Sequence, residues 1–292
     1  MRRLMHRHSL TALFLFLALL VPALAQAYDV LVLQSRHAPA FVDVRNGFSK
    51  QSSSKRVIVL SDYSDVDAVR IVSEDHPRLI LAIGDEALAV ARKVQNTPVL
   101  AVLSLGIGSP RALPHNLSAI SMFVSPERYV TLFRSMNVRR VGIIHNRSKC
   151  GWYLAEARQA AKEAGIELVV REVSSPHETL DKLSSLGGQV DALWMLPDAT
   201  TVTSETTEAF FLFGVNHSVP VVAFSGMYLN MGAAAVLDID RKELGRQAAE
   251  MARKILNGAS ITEVSYPSGI KLKTNATVLK RLNLTGDLSI TR

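Results

Sequence analysis

The sequence predicts an α/β fold made of two doubly wound parallel-sheet lobes joined by a hinge. Three observations predict it. Short strand-like runs, apolar on both faces, alternate with helical patterns, and this alternation occurs twice. A stretch rich in Gly, Pro, Ser and Asn separates the two sets. After an export-type start the chain retains 265 of its 292 residues, near the size at which one core splits into two.

The start carries Arg2, Arg3 and Arg7, then sixteen nearly unbroken apolar residues from Leu10 to Ala25. That run is shorter than the roughly 20 residues of a membrane span. Ala23-Leu24-Ala25 and Ala25-Gln26-Ala27 offer the small-x-small pattern of a cleavage site. Residues 1–27 are therefore expected to be a signal peptide, cut near Ala27, that sends the chain to the periplasm. No cysteine stands at the cleavage site to carry a lipid.

In the first set, Asp29–Leu33, Arg56–Leu60, Leu79–Ile83 and Val99–Leu103 read as parallel strands. Helical patterns at Ala38–Ser49, Val66–Asp75 and Glu86–Val94 lie between them, which gives βαβ units. Gly106 to Ser121 is the expected hinge or crossover. Ser125-Pro126 opens the next helix, with proline at a tolerated first-turn position. The second set has strands at Val141–Ile144, Glu167–Val170, Ala192–Leu196 and Val219–Ala223. Its helices are expected at Gly151–Ala164, Pro176–Leu186 and Val202–Asn216, with Gly165 ending the first of them. Each sheet is thus expected to hold about four strands.

Composition and motifs exclude several functions. The formal charge is +7, and without the three signal arginines it is +4, spread without long runs, so no nucleic-acid footprint is present. The single cysteine, Cys150, excludes an internal disulfide. Expected just before a helix and next to Lys149, it reads as a structural thiol, with a lowered pKa and nucleophilic role as the alternative. His37, His76, His115, His145, His177 and His217 are scattered without metal-ligand spacing. Gly106-Ile107-Gly108 lacks the third glycine and the following helix of a phosphate loop, and reads as a turn. No catalytic residues, cofactor or metal are expected.

In open α/β sheets ligands bind beyond the carboxyl ends of the strands. Small and polar residues collect there: Ser35, Arg36 and His37 after strand one, Gly84 and Asp85 after strand three, Ser104 after strand four. In the second half, Asn146, Asp198 and Ser225 hold the same places, and Asp238 follows in the later segment. Each can serve singly as a cap or turn former; together they mark one edge and form the expected ligand site. Trp152 reads equally as a ligand wall or a packing residue, whereas Trp194, inside a strand, reads as core. Asp198 is the leading candidate, a rim residue whose loss should weaken binding and leave the fold intact.

Three segments carry a resemblance: His76–Asp85, Asp191–Asp198, and Gly232–Asp240 running into Leu244–Ala249 and Ile255–Gly258. On these the chain resembles, over roughly His76 to Asn275, the ABC-transporter substrate-binding family. That family has the type I periplasmic-binding-protein fold and includes receptors for aromatic amino acids. The resemblance implies three crossovers, with one lobe of residues 28–120 plus 240–265 and another of 121–239 plus 266–292. It implies that Asp198 meets a ligand ammonium and that the turn after strand three offers N–H groups to a carboxylate. The chain departs from the family pattern in two places. Asp85 and Glu86 stand where small or hydroxyl residues are usual, and Ser104-Leu-Gly106 replaces an Asp-Pro pair.

The expected function is a periplasmic solute-binding protein of an ABC-type uptake system, a monomer that closes on a small polar molecule such as an amino acid or related metabolite. Its partner is a membrane permease or membrane sensor. The alternatives are a periplasmic sensor or scaffold without transport, and an enzyme using Asp85, Asp198 and Asp238.

Overall fold

The structure is a computed structural model and describes residues 28–50, 54–109, 113–259, 262–284, 286 and 288–290. The expected signal peptide lies outside these residues. Among them no helix is long and apolar enough to cross a membrane.

The first sheet is built from β1 (Val30–Gln34), β2 (Lys55–Val59), β3 (Leu79–Ile83), β4 (Val99–Val102) and β5 (Leu117–Ile120). Its helices are α1 (Pro39–Ser49), α2 (Ala68–Asp75) and α3 (Asp85–Ala91). The second half runs through α4 (Pro126–Ser135), β6 (Arg140–His145), α5 (Arg147–Glu163), β7 (Glu167–Glu172), α6 (Glu178–Ser184), β8 (Ala192–Trp194), α7 (Thr207–His217), β9 (Val221–Ala223) and β10 (Ala235–Ile239). The chain then returns through α8 (Arg241–Leu256), β11 (Val264–Ser265), β12 (Ile270–Thr274) and α9 (Ala276–Arg281).

The strand orders are β11-β5-β4-β3-β1-β2 and β12-β10-β9-β8-β6-β7. All pairings are parallel except β12 against β10. The fold class agrees with the sequence reading, but each sheet has six strands instead of about four. Each sheet gains one interior strand, β5 or β10, and one edge strand, β11 or β12, supplied by the returning C-terminal segment. The two edge strands lack the continuous apolar run of a central strand; in β12 polar and apolar residues alternate, with Lys271 and Lys273 exposed.

The expected hinge at Gly106–Ser121 is corrected as well. Leu117–Ile120 is a fully buried strand of the first sheet, so that stretch connects β4 to β5, and the chain crosses to the second sheet only after Ser121. Pro126 opens α4 and Gly165, at φ +72°, follows α5, both as the sequence indicates. However, α5 begins four residues earlier than expected, because Asn146 caps it by accepting from the Ser148 N–H at 2.9 Å.

The strands place apolar residues on both faces. One core joins the two sheets, with Val32, Leu81 and Val102 from the first, Val141, Ile143 and Trp194 from the second, and α1, α8, α4 and α5 against them. Trp194 is core, with Tyr129 tilted against it at 4.6 Å and Phe133 edge-on at 5.7 Å. Helices α1 and α8 touch backbone to backbone at Gly47 and Gly245. A Cβ on Gly245 would collide with the Val44 carbonyl oxygen, and one on Gly47 with that of Lys242.

Candidate functional site

The carboxyl ends of β1, β3 and β4 form one wall of a cleft. Ser35 pins two of them together: its hydroxyl donates to the Ile83 carbonyl at 3.1 Å and accepts from the Ala87 N–H at 3.0 Å. The β3–α3 turn then needs glycine. Gly84 has φ +96°, and a Cβ there would sit 2.5 Å from the Ser35 hydroxyl oxygen. Asp85, the first residue of α3, turns sideways. Its Oδ1 accepts from the Ser104 hydroxyl at 2.5 Å and from the Gly106 N–H at 2.7 Å, which ties α3 to the loop after β4. Arg92 fixes the same loop by donating to the Gly106 carbonyl at 2.8 Å.

The facing wall comes from α5 and the exit of β8. Asp198 is only 2% exposed. Its Oδ2 accepts from the Asn146 N–H at 2.6 Å and its Oδ1 from the Thr200 N–H at 2.8 Å. Its own carbonyl accepts from Thr201 and Val202. Asp198 therefore borders the cleft as the clamp between β8 and the start of α5, not as an exposed carboxylate. The expected rim position outside the core is corrected by this burial. The sequence hid the bond to Asn146, which lies 52 residues away at the junction of β6 and α5.

Cys150 lies in the first turn of α5, 1% exposed. Burial first, and then the adjacent Asp198 carboxylate, push its thiol well above the ordinary value. The low-pKa alternative is thereby overturned, since the nearby Lys149 is the weaker influence.

Between the walls lies a cavity of about 320 Å³. The first sheet contributes Asp85, Leu88, Ala89, Arg92, Leu105 and Gly106, and the second half contributes Lys149, Cys150, Pro197, Asp198 and Ala199, with Phe123 from the crossing segment. A narrow slot beside it shares Leu105, Phe123 and Lys149 and adds Ser104 and Trp152. Trp152 meets Phe123 edge-on at 5.4 Å, so it both packs and borders the slot.

Of the eleven expected residues, Asp85, Asp198, Ser104 and Trp152 come together at the cavity and its slot. Ser35, Gly84 and Asn146 support the walls from behind. His37 turns to Asp62 at 2.9 Å and Arg36 lies over the Phe41 ring, both exposed. Ser225 precedes a short 3-10 turn outside the cavity. Asp238 is also elsewhere: it is 5% exposed, bonded to Lys273 at 2.5 Å, and lines a separate groove of about 900 Å³ against α1 and α8. Sequence reasoning missed Arg92, Leu105, Phe123 and, as a site residue, Lys149. For Lys149 a signal existed, three residues after a strand-end asparagine; Arg92 offered none, being one more polar residue of a helix.

Among the described residues, no three His, Cys, Asp or Glu side chains are grouped to hold a metal ion. Two α/β lobes with a cavity between the carboxyl edges of their sheets define a two-lobed solute-binding protein. The chain belongs to the ABC transporter substrate binding protein family, whose model matches residues 58–290.

A tyrosine-binding protein of Clostridioides difficile (strain R20291) is 24% identical over 217 residues. That match covers 73% of this chain, which spans 58% of the relative's length. The ligand-free, open structure of CD0873, a substrate binding protein with adhesive properties from Clostridium difficile, superposes with a TM-score of 0.69 at 22% identity, covering 89% of this chain and 96% of the other. The ABC domain in complex with L-Trp from Streptococcus pneumonia gives a TM-score of 0.61 at 18% identity, covering 87% and 94%.

Proposed function

We propose that this chain is the periplasmic receptor of an ABC-type uptake system, and that it traps a small organic solute, an amino acid or a related metabolite, in the 320 Å³ interlobe cavity. The observation that carries this reading is the composition of the cavity wall. Residues from β3–α3 and the β4 loop on one side face residues from α5 and the β8 exit on the other, so closing the lobes encloses whatever lies between. The names of two relatives, one tyrosine-binding and one seen with L-Trp, support a solute of amino-acid size.

Residues 1–27 are removed on export, and the mature chain works as a monomer, because each lobe must move freely about the three crossovers. The closed form presents a surface to a membrane permease. Thermal shift across a library of amino acids, nucleosides, sugars and organic acids tests the reading. A ligand at 100 times its dissociation constant stabilises the native state by about 2.7 kcal/mol, a shift of several degrees. Mass spectrometry of the denatured protein identifies any solute carried through purification. Chemical turnover of the added solute, or a flat response together with an empty protein, would refute a receptor.

A further inference from the structure

Four charged side chains border the cavity: Asp85, Arg92, Lys149 and Asp198. They are not equally available to a ligand. Asp198 is buried and both of its oxygens accept backbone N–H bonds. Asp85 has one oxygen held by Ser104 and Gly106, which leaves only Oδ2 free. Arg92 shares one nitrogen with the Gly106 and Ile107 carbonyls and keeps its charge. Lys149 is exposed, and its ammonium has no hydrogen bond or ion pair among the described residues. It borders both the cavity and the adjoining slot. Counting the exposed groups, Lys149 and Arg92 against Asp85, the accessible charge is a net +1, with one cation on each wall. Leu88, Ala89, Leu105, Phe123 and Pro197 make the remaining surface largely apolar.

We propose that the solute is a carboxylate with an apolar body, that Lys149 takes its charge, and that an ammonium group is not required for recognition. This rests on the reading of the cleft as the solute site. A carboxylate between Lys149 and Arg92 also offsets the repulsion that two like charges exert as the walls approach, so the anion favours the closed form. An isolated ammonium meets the same two cations with a single free carboxylate oxygen to set against them.

Calorimetry on the mature full chain tests this with three probes that share a phenyl ring: 3-phenylpropanoate, L-phenylalanine and 2-phenylethylamine. The two carboxylates should bind within about fivefold of each other and at least about tenfold tighter than the amine, as expected when a charge-assisted bond is the main polar contact. Lys149→Met keeps the length of the side chain and removes the charge. It should weaken both carboxylates by about 10- to 100-fold, and Lys149→Arg should restore most of the loss. An unchanged urea midpoint for Lys149→Met shows that the variant is folded. The proposal is overturned if the amine matches the carboxylates, if L-phenylalanine binds more than about 100-fold tighter than 3-phenylpropanoate, or if Lys149→Met retains full affinity. Failure of all three probes also overturns it; a different solute recovered from the denatured protein would then still uphold the receptor, and its recovery separates the two readings.

Discussion

Replacing Asp198 by alanine should cost stability rather than affinity alone. The carboxylate is 2% exposed and accepts two backbone N–H bonds, from Asn146 at 2.6 Å and Thr200 at 2.8 Å. Hydrogen bonds to a charged group contribute about 1.5–3 kcal/mol each. Water entering from the adjoining cavity can restore part of that, so a net loss of about 3 kcal/mol is expected. For a chain of this size that corresponds to roughly 6–12 °C in Tm. Urea unfolding monitored by tryptophan fluorescence reads the change as a lower midpoint at constant slope. Asp198→Asn keeps one acceptor oxygen and should lose about half as much. Because the Asn146 N–H begins α5, local exchange of amide protons in the first turn of that helix should accelerate in both variants. A change below about 0.5 kcal/mol in Asp198→Ala would mean that the carboxylate is a solvent-facing group, and the assignment of Asp198 as a clamp would fail.

Gly245→Ala should destabilise by about 1–3 kcal/mol, read as a lower urea midpoint, because the new methyl meets the Val44 carbonyl oxygen and must push α8 off α1. Cys150 should react slowly with thiol reagents in the native protein and rapidly in denaturant, since burial beside Asp198 raises its pKa; fast native labelling would contradict its placement. His145 is 1% exposed, and burial lowers its pKa below 6.5 despite Glu172 at 3.9 Å and the further influence of Asp198, with Arg158 also lowering it. The unfolded chain therefore takes up this proton first. The contribution of neutral His145 is complete above about pH 6.5 and is lost as pH falls through the folded-state value. Urea midpoints of wild type and His145→Gln between pH 7.5 and 5 should converge or cross as pH falls; a constant difference would show that His145 does not titrate in this window.

What the sequence determined by itself was the class of the fold, the order of its central elements and the edge at which a ligand can sit. Runs such as Leu79–Ile83 and Ala192–Leu196 are apolar on both faces, and only a strand covered by helices on each side accommodates that pattern. Gly84 and the Ser125-Pro126 pair likewise announce their turns through local backbone preference. Tertiary structure alone decided which polar residues at that edge remain available. Asp85 and Asp198 look alike as strand-end acids, yet one binds a loop from β4 and the other an N–H from the neighbouring β6–α5 junction. Those partners are 21 and 52 residues away, beyond any local pattern. The same long-range pairing assigned Asp238 to Lys273, 35 residues away, and added β11 and β12 as edge strands. Lys149, by contrast, borders the cleft with no ion-pair partner for its ammonium among the described residues.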